Sequence, residues 1–393
     1  MYNRIVIQGV PVDNLTMAET LAELEKFIEI GRSTGRSHQV ATVNADFITN
    51  ALGDPELMVL LQKSDLNMPD GMPVVWSARL LGAPILERVA GVDTVMHLCE
   101  RAAQRGYSIY LLGAAPGVAA RAAGILQQRY PDLKIAGVSS PKVPSIRATD
   151  PAVLSDIKAV RPDILLVAFG NPKQEKWIGE FRGELQTPVM IGVGGTLDFI
   201  AGEKVRAPKW MHRTGLEWTF RLAQEPRRLW RRYCRNFFIF GPQLVRQWWA
   251  LRYPSLSDIA PGEIEAALYG CTALITLRGS LKISDLPQFQ HAVQQILSVT
   301  PDILVDCSRA DYLDSSAVGA LVELARQGRE LGGDLTLVGL SEQIYKTLAV
   351  LRLGSFFRIF PNLPGSLITN VPTGSQPMNW LKNSLYNSQE VIR

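Results

Sequence analysis

Cysteine and histidine are scarce in this chain, four of each among 393 residues. Cys99, Cys234, Cys271 and Cys307 lie far apart, so neither a C-x-x-C zinc site nor a disulfide framework is expected. His38, His97, His212 and His291 are equally scattered, which leaves no protein-built metal site to expect. Long apolar runs are missing as well: no stretch of about 18 apolar residues could span a bilayer. The opening MYNRIVIQGV has neither the basic flank nor the apolar core of a secretory signal. Charged residues are only 20% of the total against 47% hydrophobic, a balance that excludes disordered and fibrous classes. A cytoplasmic, reduced, globular protein of two or three domains is the expectation.

What the chain does have is charge in one place. From Lys204 to Arg235 there are ten Lys or Arg against Glu217 and Glu225, a local balance of +8 within a total of +4. The rest is therefore slightly acidic, and the basic segment is also rich in Trp and Phe.

Periodicity predicts a helix over 15–30, with Thr16 and Glu19 spaced as a capping box. Apolar, strand-like runs follow at 38–43, 107–112, 133–138, 163–169 and 188–193, most of them separated by helical patterns. Continuous apolar strands alternating with helices imply an α/β fold, a Rossmann-like parallel sheet covered on both faces. Ligands of such sheets sit beyond the carboxyl ends of the strands. Residues 1–251 make up this domain, with 204–251 as its basic-aromatic segment. RYPSLSDIAPGE, 252–263, reads as a linker, 264–361 as a smaller α/β domain, and 362–393 as a disordered tail.

Five polar stretches fall at the expected strand ends: ATVNADF, MPDGMP, LGAAPG, GNPKQE and GVGGTLDF. Each has an ordinary explanation taken alone. Asn171 as N-cap, Pro172 at the first helical position and Gln174 three residues past the cap satisfy helix-start rules. Asp46 is placed to cap the helix that follows it, and Asp70 suits a Pro-Asp-Gly turn. LGAAPG, with Gly113, could aim backbone N–H groups at phosphate but lacks a full dinucleotide fingerprint.

Together and in order, TVNADF, NMPDGMPVVW, ERVAGVD, YLLGAAPG, VAFGNPKQEKWI, GVGGTLDFIAGEKVRAPKW and GLEWTFRLAQEPRRLWRRY resemble the WecG/TagA/CpsF glycosyltransferases over roughly residues 1–240. The resemblance implies an inverting, metal-independent transfer of N-acetylmannosamine from a UDP-sugar to polyprenyl-diphosphate-linked N-acetylglucosamine, with no cofactor beyond that donor. It puts the general base on Asp70, with Thr42 and Asn44 beside it. Arg88 would meet a diphosphate, because its fork of donors pairs with phosphate oxygens. Gly113, Gln174, Gly194, Gly195 and Asp198 would contact substrate. GVSSPKVPS departs from the aromatic that many relatives carry at that strand, which leaves the donor sugar open.

The basic segment is then expected to hold the enzyme on the inner face of the cell membrane, its Trp and Tyr at the interface. Arg206, Arg213, Arg221, Arg228, Arg231 and Arg232 are the candidate contacts to lipid and lipid diphosphate. A solvated helix or a single-stranded nucleic acid would also suit cations with aromatics; the membrane reading is preferred, with no nucleic-acid partner. LVDCSRADYLDSSAVGALVELA resembles the STAS domain of anti-sigma-factor antagonists, which implies phosphorylation at Ser315 and a partner protein or kinase. Ala317 stands where that family has glycine, and Asp314 and Ser315 also suit a helix N-cap. Self-association is a further expectation. Against the active transferase stands a regulatory protein working through its second domain alone.

Overall fold

The computed structural model describes residues 3–208, 211, 216–252, 262–269, 272–282 and 285–361. The chain divides into two units, one of Val12–Leu244, the other of Asn3–Pro11 with the residues from Val245 on.

Two short strands, β1 (Asn3–Ile7) and β2 (Val10–Asn14), pair with each other. The Val12–Leu244 unit then continues with α1 (Met17–Thr34), β3 (His38–Val43), α2 (Ala45–Gly53), α3 (Pro55–Lys63), β4 (Leu66–Pro69), α4 (Met72–Leu80) and α5 (Gly91–Arg105). There follow β5 (Ser108–Gly113), α6 (Val118–Arg129), β6 (Lys134–Ser139), α7 (Pro151–Val160), β7 (Ile164–Ala168), α8 (Lys173–Leu185), β8 (Val189–Gly192) and α9 (Thr196–Ile200). Last come α10 (Glu217–Gln224) and α11 (Pro226–Arg252), whose final turns belong to the other unit.

The capping box forms as expected: Thr16 and Glu19 satisfy each other's N–H groups, and Gly35 closes α1 in the left-handed region. The six strands make a parallel sheet in the order β4-β3-β8-β7-β5-β6. Alternate residues of one strand enter different cores. Ile109, Leu111, Leu166 and Ile191 pack with Leu24, Ile28 and Leu98. Tyr110, Leu112, Leu165, Val167 and Met190 pack with Trp177 and Ile178. Burial on both faces is why these strands read as unbroken apolar runs.

The other unit contains β9 (Glu263–Tyr269), β10 (Thr272–Leu281), α12 (Leu286–Leu297), β11 (Asp302–Leu313), α13 (Ser315–Glu330), β12 (Leu335–Val338), α14 (Glu342–Val350) and β13 (Arg358–Phe360). Its sheet runs β13-β12-β11-β10-β9, with only the β9–β10 pair antiparallel. Phe289, Val293, Val305, Leu321, Leu337 and Leu348 are among its core residues.

β1 packs on α13 in this unit. At Gly319 a Cβ would lie 1.9 Å from the Arg4 carbonyl oxygen, so only glycine allows the approach. Arg4 Nε meets Glu323 at 3.2 Å with both side chains buried, and Val6 joins the core. Gln247 of α11 accepts from the Gln8 N–H and donates to the Val6 carbonyl, each at 2.8 Å.

Candidate active site

Five neighbouring strands, β4, β3, β8, β7 and β5, deliver their carboxyl ends to one edge of the first sheet. At about 4.8 Å per strand this edge is roughly 19 Å long. Thr42 is the last residue but one of β3, Asp70 follows β4, Gly194 follows β8, Gly170 and Asn171 follow β7, and Gly113 ends β5. The Asp70 N–H donates to the Val43 carbonyl at 2.8 Å, and the Val89 N–H to that of Pro69 at 3.0 Å. These bonds hang the Asp70 turn and the Arg88 loop on the sheet.

Thr42 is buried and donates through Oγ1 to the Gly192 carbonyl at 3.1 Å. Gly91, the first residue of α5, faces it closely: a Cβ there would come within 2.9 Å of the Thr42 methyl and 3.7 Å of Asp70 Oδ2. Asn44 caps α2, accepting from the Asp46 and Phe47 N–H groups at 3.0 and 3.2 Å. The cap is therefore Asn44 and not Asp46, whose carboxylate pairs instead with Arg232 and Arg235 of α11. The Asn44 Cβ lies 3.6 Å from the Cβ position of Gly71, so Thr42, Asn44 and Asp70 gather in one place.

Asp70 is half-buried. Burial pushes its carboxyl above the usual carboxylate range, and the charges of Arg221 and then Arg88 pull it back down. The Gly91 N–H stabilises the ionised form, and Glu217 opposes it. Glu217 is buried between the two arginines, accepting from Arg88 Nη1 at 2.9 Å and from Arg221. Sequence reasoning missed Glu217; its only signal was an acid standing almost alone in a cationic run.

GNPKQE is not built as its cap signature suggests. α8 starts at Lys173, no side chain caps it, and Asn171 donates to Glu175 instead. Gln174 is buried and accepts through Oε1 from the Gly170 and Gly194 N–H groups at 3.1 and 2.9 Å. It ties the loops after β7 and β8 together. Gly192 has no room for a side chain: a Cβ would meet Gln174 Nε2 at 2.5 Å and Glu175 Oε1 at 2.7 Å. Gly195 lies 3.5 Å (by its Cβ position) from Asp198 Oδ2, which Lys204 engages at 2.9 Å. Gly113, at φ +101°, turns its open face to the Ala168 carbonyl of β7, where a Cβ would sit at 2.9 Å.

The six arginines of the basic segment divide. Arg206 makes two 2.6 Å bonds to Asp93, Arg221 pairs with Glu217, and Arg232 reaches Asp46 at 3.4 Å. Arg231 is exposed. Arg213 and the Arg228 side chain lie outside the described residues. Along α10 and α11, Trp218, Trp230, Phe237 and Phe238 are exposed, the last two by more than seven-tenths. No helix among the described residues is long and apolar enough to cross a membrane.

Residues 5–254 match the Glycosyl transferase WecG/TagA/CpsF family. The chain belongs to this family. It is a glycosyltransferase, and residues 266–361 match the "Mlab, STAS domain" family, giving it a C-terminal STAS domain. Proteins named N-acetylglucosaminyldiphosphoundecaprenol N-acetyl-beta-D-mannosaminyltransferase are similar to it. The one from Bacillus subtilis (strain 168) is 34% identical over 226 residues, 58% of this chain and 85% of the relative. The one from Staphylococcus aureus (strain MW2) is 30% identical over 237 residues, 60% of this chain and 91% of the relative. Among solved structures, the unphosphorylated anti-sigma factor antagonist SpoIIAA aligns with 28% of this transferase and 97% of its own chain, at 20% identity and a TM-score of 0.24. In the transferase Ser315 is the first residue of α13, Asp314 is the cap, and the serine Oγ donates to the Val6 carbonyl at 2.9 Å. The hydroxyl expected to receive phosphate is thus sealed under β1, not presented to solvent.

Proposed function

We propose that this glycosyltransferase moves N-acetylmannosamine, or a close relative, from UDP to the hydroxyl of a polyprenyl-diphosphate-linked N-acetylglucosamine. The observation that carries the reading is Asp70, set against Thr42 and Gly91 at the sheet edge in the field of Arg221 and Arg88. The names of the bacillary and staphylococcal relatives supply the sugar and the acceptor class. In the proposed step, the Asp70 carboxylate takes the proton of the acceptor hydroxyl. The freed oxygen pair attacks the anomeric carbon on the face opposite UDP, the bond from that carbon to the phosphate oxygen breaks, and UDP leaves with the electrons. Arg88 and Arg221 would stabilise the negative charge growing on the diphosphate. Gln174, by fixing the loops after β7 and β8, would shape the donor side, and Asp198 with Gly194 and Gly195 would meet a hydroxyl of ribose or sugar. No cofactor beyond the donor is called for by the family resemblance.

A lipid-linked acceptor keeps its diphosphate at a membrane surface. The exposed Trp230, Phe237 and Phe238, on the helix that also carries the exposed Arg227 and Arg231, support docking of α11 on the inner face of the cell membrane. The STAS domain is proposed to bind a partner protein. Incubation with UDP-N-acetylmannosamine and a short lipid-diphospho-N-acetylglucosamine should release UDP in step with disaccharide formation. Release equally fast without acceptor, or none with it, contradicts the reading.

A further inference from the structure

Glu175, in the first turn of α8, is buried beneath the same edge, and the proposed reaction makes no use of it. Its carboxylate lies where two chains of hydrogen bonds converge, and the direction of each is fixed from its far end. The Gly170 and Gly194 N–H groups can only donate, so Gln174 must present its oxygen to them. Its Nε2 then points at Glu175 Oε1, 2.7 Å away. On the other side Arg235, which also can only donate, gives Nη2 to Asn50 Oδ1 at 2.6 Å. Asn50 Nδ2 donates to Asn171 Oδ1 at 2.6 Å, and Asn171 Nδ2 to Glu175 Oε2 at 2.8 Å. Neither chain can reverse, because each ends on groups with no lone pair to offer. A proton on Glu175 would find no acceptor on the amide groups that face it, and the oxygen carrying it would accept more weakly.

We infer that Glu175 is a positioning residue for the transfer, ionised in the working enzyme, whose two oxygens bind Gln174 and Asn171 and so tie the loops after β7 and β8 to Arg235 of α11. The inference rests on the proposed use of this edge for the sugar donor. It also gives the basic helix a mechanical link to the site: Arg235, on the helix proposed to meet the membrane, ends the same chain that orients Gln174.

Burial raises the Glu175 carboxyl to about 7, against the amides of Gln174 and Asn171, which favour its charge. Its surroundings are otherwise neutral at close range. β8 contributes Gly192, and β3 the Gln39 amide, bound to the Glu175 carbonyl at 3.1 Å. Charged groups stand further off, at Arg235, Arg232 and Asp46 beyond the amides and at Lys176 with Asp54 and Glu56 towards α3. Ionisation of Glu175 therefore falls in the range where an enzyme works, and acidification through about pH 7 should loosen both loops.

The test uses the full chain and compares wild type, Glu175→Gln, Asn50→Ala and the double variant, reading UDP release between pH 6 and 9. Glu175→Gln should lower kcat by about tenfold or more at pH 8 and remove the wild-type inflection near 7. Asn50→Ala should cost about fivefold alone yet less than about twofold on top of Glu175→Gln, since the chain is already broken. The glutamine variant removes the buried charge but sets its own NH2 against one of the two amide donors, so the stability reading is the pH dependence: its stability should not fall from pH 6 to 8 as the wild type's does. Wild-type turnover with an unchanged profile in Glu175→Gln, or losses that simply multiply, would overturn the inference. Asp70→Asn run alongside separates the two ideas. A silent Asp70→Asn with an impaired Glu175→Gln rejects the proposed base and keeps the positioning role, and the reverse pattern rejects the positioning role alone. If wild type releases no UDP, the stability comparison still decides whether Glu175 carries the ionisation.

Discussion

At the scale of single residues, the site is defined as much by what glycine leaves out as by what side chains supply. Gly192 lets Gln174 and Glu175 sit against the end of β8, where a Cβ would fall within 2.5 and 2.7 Å of them. Gly192→Ala should keep the fold but cost about 100-fold in kcat, because displacing a positioned group by about 1 Å has that order of effect; near-normal kcat would show that Gln174 need not stay where it is. Asp70 carries a pH signature. Its carboxyl is raised by burial and pulled down chiefly by Arg221, then Arg88. Turnover should rise with pH as Asp70 loses its proton, on a limb displaced above the ordinary carboxylate range. Arg221→Ala should move that limb further up, and Arg88→Ala should move it less far; a pH–rate profile of kcat/KM checks both. The sign follows from the charges, since removing a cation makes the carboxylate harder to form.

At the scale of elements, β1 is held by contacts that sequence pattern does not announce. β1 lies on α13 through a buried ion pair and one glycine. Arg4→Ala would leave Glu323 in the interior to Arg326 and Gln327 of its own helix. Losing one member of a buried pair typically costs about 3–5 kcal/mol, and the remaining Arg326 places the expected loss at the low end, read by denaturant unfolding. Gly319→Ala should evict β1 more completely and uncover Ser315, detectable as faster hydrogen exchange over residues 3–7. The face of α11 bearing Trp230, Phe237 and Phe238 makes a different prediction. Burying an aromatic is worth about 1.5–3 kcal/mol, so replacing all three by Ala should reduce binding to anionic vesicles at least tenfold while leaving UDP binding intact. Unchanged sedimentation with vesicles would remove α11 from the membrane.

At the scale of the whole molecule, the parallel sheet was legible because burial on both faces makes its strands continuously apolar. Runs at 38–43, 163–169 and 188–193 coincide closely with β3, β7 and β8. β4 was not legible: Leu-Asn-Met-Pro is short, and its buried Asn67 is held by bonds to Asp13 and the Leu61 carbonyl that periodicity cannot express. β1 escaped for a related reason, since the residues of α13 that it packs on lie some three hundred residues away in sequence. Within the site, Thr42, Asn44 and Asp70 could be named because TVNADF and NMPDGMPVVW carry the family resemblance; taken alone, each stretch reads as an ordinary cap or turn. Glu175 could not, because a buried acid beside Gln174 looks like any charged residue in the first turn of a helix. The same order of legibility holds for the arginines, whose cationic run was plain while their acidic partners Asp46, Asp93 and Glu217 were not.

The most direct measurement concerns Asp70→Asn, an exchange that keeps the shape of the side chain and removes its ability to take a proton. UDP affinity by titration calorimetry and UDP release in the presence of both substrates should be read on the same preparation. Affinity within about threefold of wild type together with turnover reduced by about 1,000-fold or more is the predicted pair, in keeping with the weight of a general base. Turnover within about tenfold of wild type at unchanged affinity would contradict the account, because the sheet edge would then be performing the transfer without the group placed there to start it.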